Sequence, residues 1–238
     1  QLSRIQIDAP DEQKTIFYTA AYHSALSPIL YQDVDGLYRG LDGEIHKAEG
    51  FTNYTVFSLW DTFRALHPLV TLMQPSASAD MVNSMLAHYH QSPLPLLPIW
   101  SHHANDNWCM IGYHAVPVIA DAYVKGVKGF DANKALEAMV KSATYEAYDG
   151  LGEYMMMGYV PAEASGSSAS VTLEYAYDDW TIAAMAQKLG NAEVAKTFGK
   201  RSEYYKNLYD PATGFIRAKK KDGRFVTPFE SLETHGMG

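Results

Sequence analysis

Along the chain, stretches in which apolar residues recur every three or four positions alternate with shorter ones dense in Gly, Pro, Asn and Asp. The first pattern predicts helices. They are expected over residues 11–26, 54–73, 79–90, 113–125, 131–143, 172–189 and 193–209. Asp131 stands where an N-cap acceptor belongs, and Gly190 where a left-handed C-cap residue belongs. Residues 113–125 (YHAVPVIADAYVK) and 172–187 (TLEYAYDDWTIAAMAQ) are apolar around most of the helix, which predicts burial, whereas residues 131–142 are one-sided. Such alternation suits a toroid of inner and outer helices, with a simple bundle as the alternative. Strand signals are weak: an Asp-Gly between short apolar runs in residues 214–227 predicts a minor β-hairpin, and residues 94–100 are strand-like. The class is mainly α.

Composition narrows the picture. With 238 residues, 47% of them hydrophobic, the chain can bury one large core or two small ones. Residues 164–170 (ASGSSAS) suit a flexible loop joining two halves. A net charge of −8 with only 19% charged residues lacks the basic face that nucleic acid requires. The longest apolar stretches contain prolines and fall short of the ~20 residues of a membrane span, so no membrane insertion is expected. Cys109 is the single cysteine, which rules out an internal disulfide, and the first ten residues carry no targeting signal. The 17 Tyr, 9 Phe and 4 Trp suit either an aromatic core or a site for sugar rings, which stack on one face and hydrogen-bond around the rim.

Four places concentrate candidate chemistry. In FSLWDTFRALHP (residues 57–68), Trp60, Asp61 and Arg64 lie within one helical turn; they suit a sugar-binding cluster, or an Asp61–Arg64 ion pair beside a core tryptophan. Residues 33–40 (DVDGLYRG) place Asp35 in a turn-rich loop that lacks the acceptor spacing of a calcium loop. Residues 97–112 (LPIWSHHANDNWCMIG) set His102, His103, Asn105, Asp106 and Asn107 between buried elements; adjacent histidines rarely share one ion, so no metal site is assigned, and Cys109 reads as packing beside Trp108 and Met110 rather than as a nucleophile. On the apolar helix, Glu174 and Asp178 share a face and Asp179 adjoins them, either binding something or capping a neighbour.

FYTAAYHSALSPILYQDVDGLYRGLDGEIH (residues 17–46), YTVFSLWDTFRALHPLVTLMQP (54–75), LPIW with WCMIGYHAVPVIADAYVKG (97–100 and 108–126) and TLEYAYDDWTIAAMAQKLG (172–190) together resemble the catalytic domain of glycoside hydrolase family 92. The resemblance implies a calcium-dependent, exo-acting, inverting α-mannosidase that removes terminal mannose from oligosaccharides or glycoprotein glycans. It also implies an extracellular or periplasmic location. The expected architecture is a linker at 1–16, then residues 17–238 as the first part of an (α/α)6 barrel. An upstream β-sandwich, and a downstream segment supplying the general base and calcium ligands, would lie outside this chain. The family's general acid is a glutamate, and the alignment places Asp106 at that position. By the same resemblance Trp60, Asp61, Arg64 and Asp35 would hold the terminal mannose, and His102, His103 and Cys109 would line the substrate pocket. Glu174, Asp178 and Asp179 would support its wall. An aspartate in place of the glutamate keeps open an alternative, a carbohydrate-binding or catalytically weakened member of the same fold.

Inverting hydrolysis needs two carboxyl groups on opposite sides of the sugar. Residues 1–238 expressed alone are therefore expected to release no mannose and to self-associate through apolar helix faces. A monodisperse, active monomer by sedimentation and mannose assay would overturn this expectation.

Overall fold

A computed structural model describes residues 5–94 and 96–232. Helix α1 (Asp11–Ser24) lies on the surface without a fully buried residue and runs unbroken through residue 16. Five short strands follow: β1 (Ile29–Leu30), β2 (Leu37–Arg39), β3 (Ile45–Lys47), β4 (Tyr54–Thr55) and β5 (Phe57–Ser58). Next come α2 (Leu59–Thr62), α3 (Leu66–Met73), α4 (Pro75–Gln91), β6 (Trp100–Ser101), α5 (Ala115–Val124) and α6 (Ala132–Ser142). The remainder is α7 (Leu151–Met157), α8 (Ser168–Leu189), α9 (Ala192–Arg201), a 3-10 turn (Tyr204–Leu208) and a hairpin of β7 (Tyr209–Asp210) with β8 (Phe215–Ile216). The strands form only antiparallel pairs, β1–β4, β2–β3, β5–β6 and β7–β8. The molecule is mainly helical, as expected.

Residues 54–73 depart from the single helix that their periodicity suggests. Val56 adopts φ +64°, rare for a β-branched residue, and this reversal lets Tyr54–Thr55 pair with Ile29–Leu30 while Phe57–Ser58 pair with Trp100–Ser101. Short apolar runs look alike in strands and helices, so periodicity alone could not separate them. Helix α7 went unpredicted; left-handed glycines at Gly150 and Gly158 bracket its seven residues. The expected 193–209 helix ends at Arg201, and the Asp222-Gly223 turn supports only an isolated bridge between Lys219 and Phe225. Ser168–Ser170 belong to α8, which shortens the predicted flexible loop.

The core forms where α8 meets α5, α6 and α9. Helix α5 is buried nearly all round, as expected, but α8 is not: Leu173, Tyr177 and Trp180 face outward. Tyr113 stacks on Tyr175 at 4.9 Å within the core. Asp179, fully buried, accepts from Tyr113 Oη (2.7 Å), Tyr154 Oη (3.0 Å) and Arg201 Nε (2.8 Å), and Arg201 donates onward to the Ala143 carbonyl at 2.9 Å. A buried carboxylate so surrounded is compensated, and it ties α8 to α7 and α9.

His67 on α3 is buried against the Phe57 ring, and its Nε2 has no hydrogen-bond partner. Burial pushes its pKa down to about 4. In the unfolded chain the imidazole takes up a proton below about pH 6.5, whereas the folded protein resists until about pH 4. Stability is thus lost as pH falls through this window, by about 3 kcal/mol from this group. Thermal midpoints measured from pH 7.5 to 4.5 are expected to fall less steeply for His67→Phe than for wild type; parallel curves would exclude His67 as a source.

Candidate sugar-binding site

The β5–β6 pair builds one side of the site. Strand β5 runs directly into α2, which carries Trp60 and Asp61, while β6 opens the loop of residues 102–111. That loop returns to Gly112, Tyr113 and His114 at the start of α5, beside α8. Trp60 and the residues that follow the loop therefore both reach the N-terminal half of α8.

Glu174 is the junction there. Its Oε1 accepts from Trp60 Nε1 at 3.1 Å and from Arg64 Nη2 at 3.3 Å. Arg64 also donates from Nε to the Trp60 carbonyl at 3.2 Å and lies over both rings, 5.1 Å from the Trp60 centroid and 4.6 Å from that of Phe63. Glu174 Oε2 stands 3.3 Å from His114 Nε2, off the line of a hydrogen bond. The buried His114 ring stacks on Phe63 at 4.3 Å, and its Nδ1 is 2.7 Å from Asp178 Oδ1. Asp178 accepts from the Tyr113 backbone N–H at 2.8 Å through its other oxygen. Burial raises the pKa of Asp178, while His114 and that N–H act in the opposite direction.

Asp61 is exposed and makes no ion pair with Arg64, which turns instead to Glu174. The surface Asp61–Arg64 pair that spacing allowed is therefore not formed, and the Asp61 carboxylate faces solvent.

Asp106 departs from its expected form. Its side chain is 4% exposed and accepts from the backbone N–H groups of Ile99 (2.8 Å), Trp100 (3.0 Å) and Trp108 (3.0 Å), with His88 Nε2 at 3.5 Å. Burial alone would raise its pKa; the His88 contact and the three N–H groups outweigh it and hold the carboxyl below the usual carboxylate range. Asp106 is thus a buried carboxylate turned into its own loop, with its pKa held low. His103, Trp108 and Met110, none of them glycine, take φ of +40°, +52° and +69° in the same loop.

The remaining predicted residues are dispersed. Asp35 Oδ1 accepts from Leu37 N at 3.1 Å and closes the turn before β2. His102 and His103 are exposed; the His103 N–H donates to Thr55 Oγ1 and its ring meets Tyr31 edge-on, along a cleft with Asn53 and His88. Cys109 is exposed, as are Trp108 and Met110, so the packing role expected of it is not observed. Asp179 belongs to the core cluster with Arg201, whereas Glu174 and Asp178 face the site. Sequence reasoning missed His114. A histidine at the head of an apolar helix was a signal, but its partner lies 64 positions away. No group of three or more His, Cys, Asp or Glu side chains suited to a metal occurs among the described residues. By themselves these residues do not fit a calcium site.

The Asp106 cage yields a prediction. Asp106→Asn turns an amide NH2 toward at least one backbone N–H that the carboxylate now satisfies, at a cost of about 1–3 kcal/mol for a buried unsatisfied donor. A lowered thermal midpoint and faster amide exchange at Ile99, Trp100 and Trp108 are expected; unchanged exchange would mean that the carboxylate does not organise the loop.

The sequence matches the glycosyl hydrolase family 92 catalytic domain over residues 1–237. An uncharacterized secreted glycosidase of Arthroderma benhamiae is 36% identical over 142 residues, 52% of this chain and 18% of that protein. Among solved structures, a family GH92 alpha-mannosidase from Bacteroides thetaiotaomicron is 52% identical with a TM-score of 0.96, covering 98% of this chain and 31% of that one. Its complex with mannoimidazole gives 53% identity, a TM-score of 0.95, and coverage of 96% and 30%. A family GH92 inverting mannosidase of the same organism is 34% identical with a TM-score of 0.92, covering 99% and 33%. The chain spans under a third of the length of the first structures and under a fifth of the curated relative. Mainly helical in the manner of those catalytic domains, it belongs to glycoside hydrolase family 92.

Proposed function

We propose that this chain is part of an exo-acting, inverting α-mannosidase that hydrolyses terminal α-mannosides of glycans, acts outside the cell or in the periplasm, and uses calcium held by residues beyond those described. The observation that carries the reading is the Trp60–Arg64–Glu174 junction beside the unpaired Asp61 carboxylate. Held by one carboxylate, the indole offers a stacking plane and the guanidinium its remaining N–H donors, and Asp61 adds an acceptor for sugar hydroxyls. The family membership and the mannosidase neighbours supply the configuration of the sugar. In this reading Trp60, Asp61 and Arg64 hold the terminal mannose, Asp35 and Cys109 are further substrate-binding candidates, and His102 and His103 border the leaving sugar. Glu174 and Asp178 back the pocket wall, and Asp179 anchors the helix that carries them.

The cage around Asp106 favours a second reading in which sugar is bound but protonation of the leaving group is weak. Proton donation contributes about 10²–10⁴-fold to rate. A poor donor therefore spares substrates whose leaving group needs no proton.

Both readings are tested on the full-length protein by following the released anomer by NMR, with and without chelator. Initial release of β-mannose from an α-mannobioside, lost on chelation and restored by calcium, is expected. Asp61→Ala is expected to abolish mannose binding while barely moving the thermal midpoint; lost stability with unchanged binding would remove Asp61 from the site. Hydrolysis of a dinitrophenyl α-mannoside with about a hundredfold or greater deficit on the mannobioside would establish the second reading. Absence of both binding and hydrolysis would sink both.

A further inference from the structure

His114, Glu174 and Asp178 are more than wall residues. Their atoms stand in a row: Asp178 Oδ1 is 2.7 Å from His114 Nδ1, and His114 Nε2 is 3.3 Å from Glu174 Oε2. His114 is 1% exposed and Asp178 fully buried, so water does not screen the row at its inner end. The Nδ1 contact is a hydrogen bond, whereas the Nε2 contact is longer and off the hydrogen-bond line. Two carboxylates thus flank one imidazole. The outer carboxylate accepts from the Trp60 indole N–H and the Arg64 guanidinium.

Two features show that the row is built rather than incidental. Phe63 lies flat on His114 at 4.3 Å and 12°, and the same Phe63 carries the Arg64 guanidinium at 4.6 Å. Gly112 gives the ring its space: a Cβ at that position would come within 2.4 Å of His114 Nε2. The Nε2 atom has no well-aligned partner, so the contact with Glu174 can tighten when the outer end is loaded.

We propose that Asp178, His114 and Glu174 form a row whose task is positioning: it sets the plane of Trp60 and the direction of Arg64 for the terminal sugar. The inference rests on the mannosidase reading of the site. Glu174 is a positioning residue in this scheme and acts through Trp60 and Arg64. A misplacement of about 1 Å at such groups is enough to change affinity or rate strongly.

The test uses the full-length enzyme and the variants Glu174→Gln, Trp60→Phe and their combination. Glutamine keeps the shape and one acceptor oxygen but removes the charge, and phenylalanine removes the indole N–H that Glu174 orients. KM on an aryl α-mannoside and the Kd of mannoimidazole by calorimetry are each expected to rise about five- to tenfold in the single variants, with kcat of Glu174→Gln within about twofold of wild type. The double variant is expected to lie within about twofold of the worse single, because both changes cut the same contact. Losses that multiply in the double variant would overturn the proposal, as would an unchanged KM or a loss confined to kcat. A large fall in thermal midpoint with Glu174→Gln would overturn it in favour of a purely structural role. Wild-type enzyme that neither binds mannoimidazole nor releases mannose sinks the functional reading itself, and this proposal with it. Wild-type activity with multiplying losses sinks the proposal alone.

Discussion

Two adjacent, fully buried carboxylates on α8, Asp178 and Asp179, are the constraint on which the rest depends. A charge taken out of water must be met by donors held in place, and stripping one partner from such a pair costs about 3–5 kcal/mol. Successive helical residues point about 100° apart. Asp178 therefore collects Tyr113 N and His114 from the start of α5, while Asp179 collects Tyr113 Oη, Tyr154 and Arg201. Tyr113 serves both through different atoms. The helix cannot rotate or slide without exposing one charge or the other, so α5, α7 and α9 are registered against α8 by polar contacts as well as by packing.

The site inherits that registration. Glu174 precedes Asp178 by one helical turn and lies on the same face, so the contacts that hold Asp178 also place the Glu174 carboxylate. Its oxygen then catches Trp60 and Arg64, which come from a segment more than a hundred residues earlier. The N-terminal part of the chain is brought there by the β5–β6 pair and by the reversal at Val56. Core electrostatics and the geometry of the candidate site thus meet in one helix.

How much of this was legible in the sequence depended on the range of the interaction. Helices α4, α5, α6 and α8 were readable because local periodicity and caps define them; Asp131 accepts from the N–H groups of Asn133 and Lys134, and Gly190 sits at φ +78°. Helix α7 and the break at residues 54–58 were not, since a seven-residue helix carries little periodic signal and Val56 owes its conformation to pairings with β1, 26–27 residues before it, and β6, 44–45 residues after it. In the site, residue type and spacing singled out Trp60, Arg64, Glu174 and Asp178. They could not show that Arg64 prefers Glu174 to its near neighbour Asp61, or that His114 joins the two carboxylates. The family resemblance supplied the rest of the functional picture, and it stood on long motifs rather than on any one of these residues.

Asp106 ties the order of its loop to the charge of its own carboxyl group. The backbone of residues 99–110 turns inward, presenting the N–H groups of Ile99, Trp100 and Trp108 to one point, and holds His103, Trp108 and Met110 in left-handed conformations that cost about 1–3 kcal/mol each. Charge-assisted bonds from three backbone N–H groups, with His88 behind them, are strong enough to offset such a cost. The anion is then part of the loop's own stability, and a carboxylate that stabilises its loop as an anion resists protonation. A longer acidic side chain rooted at the same Cα could reach past the ring of N–H groups, leaving the loop to find another acceptor. Loop order and acid strength therefore compete for one carboxyl group, and in this chain the hydrogen bonds fall on the side of order.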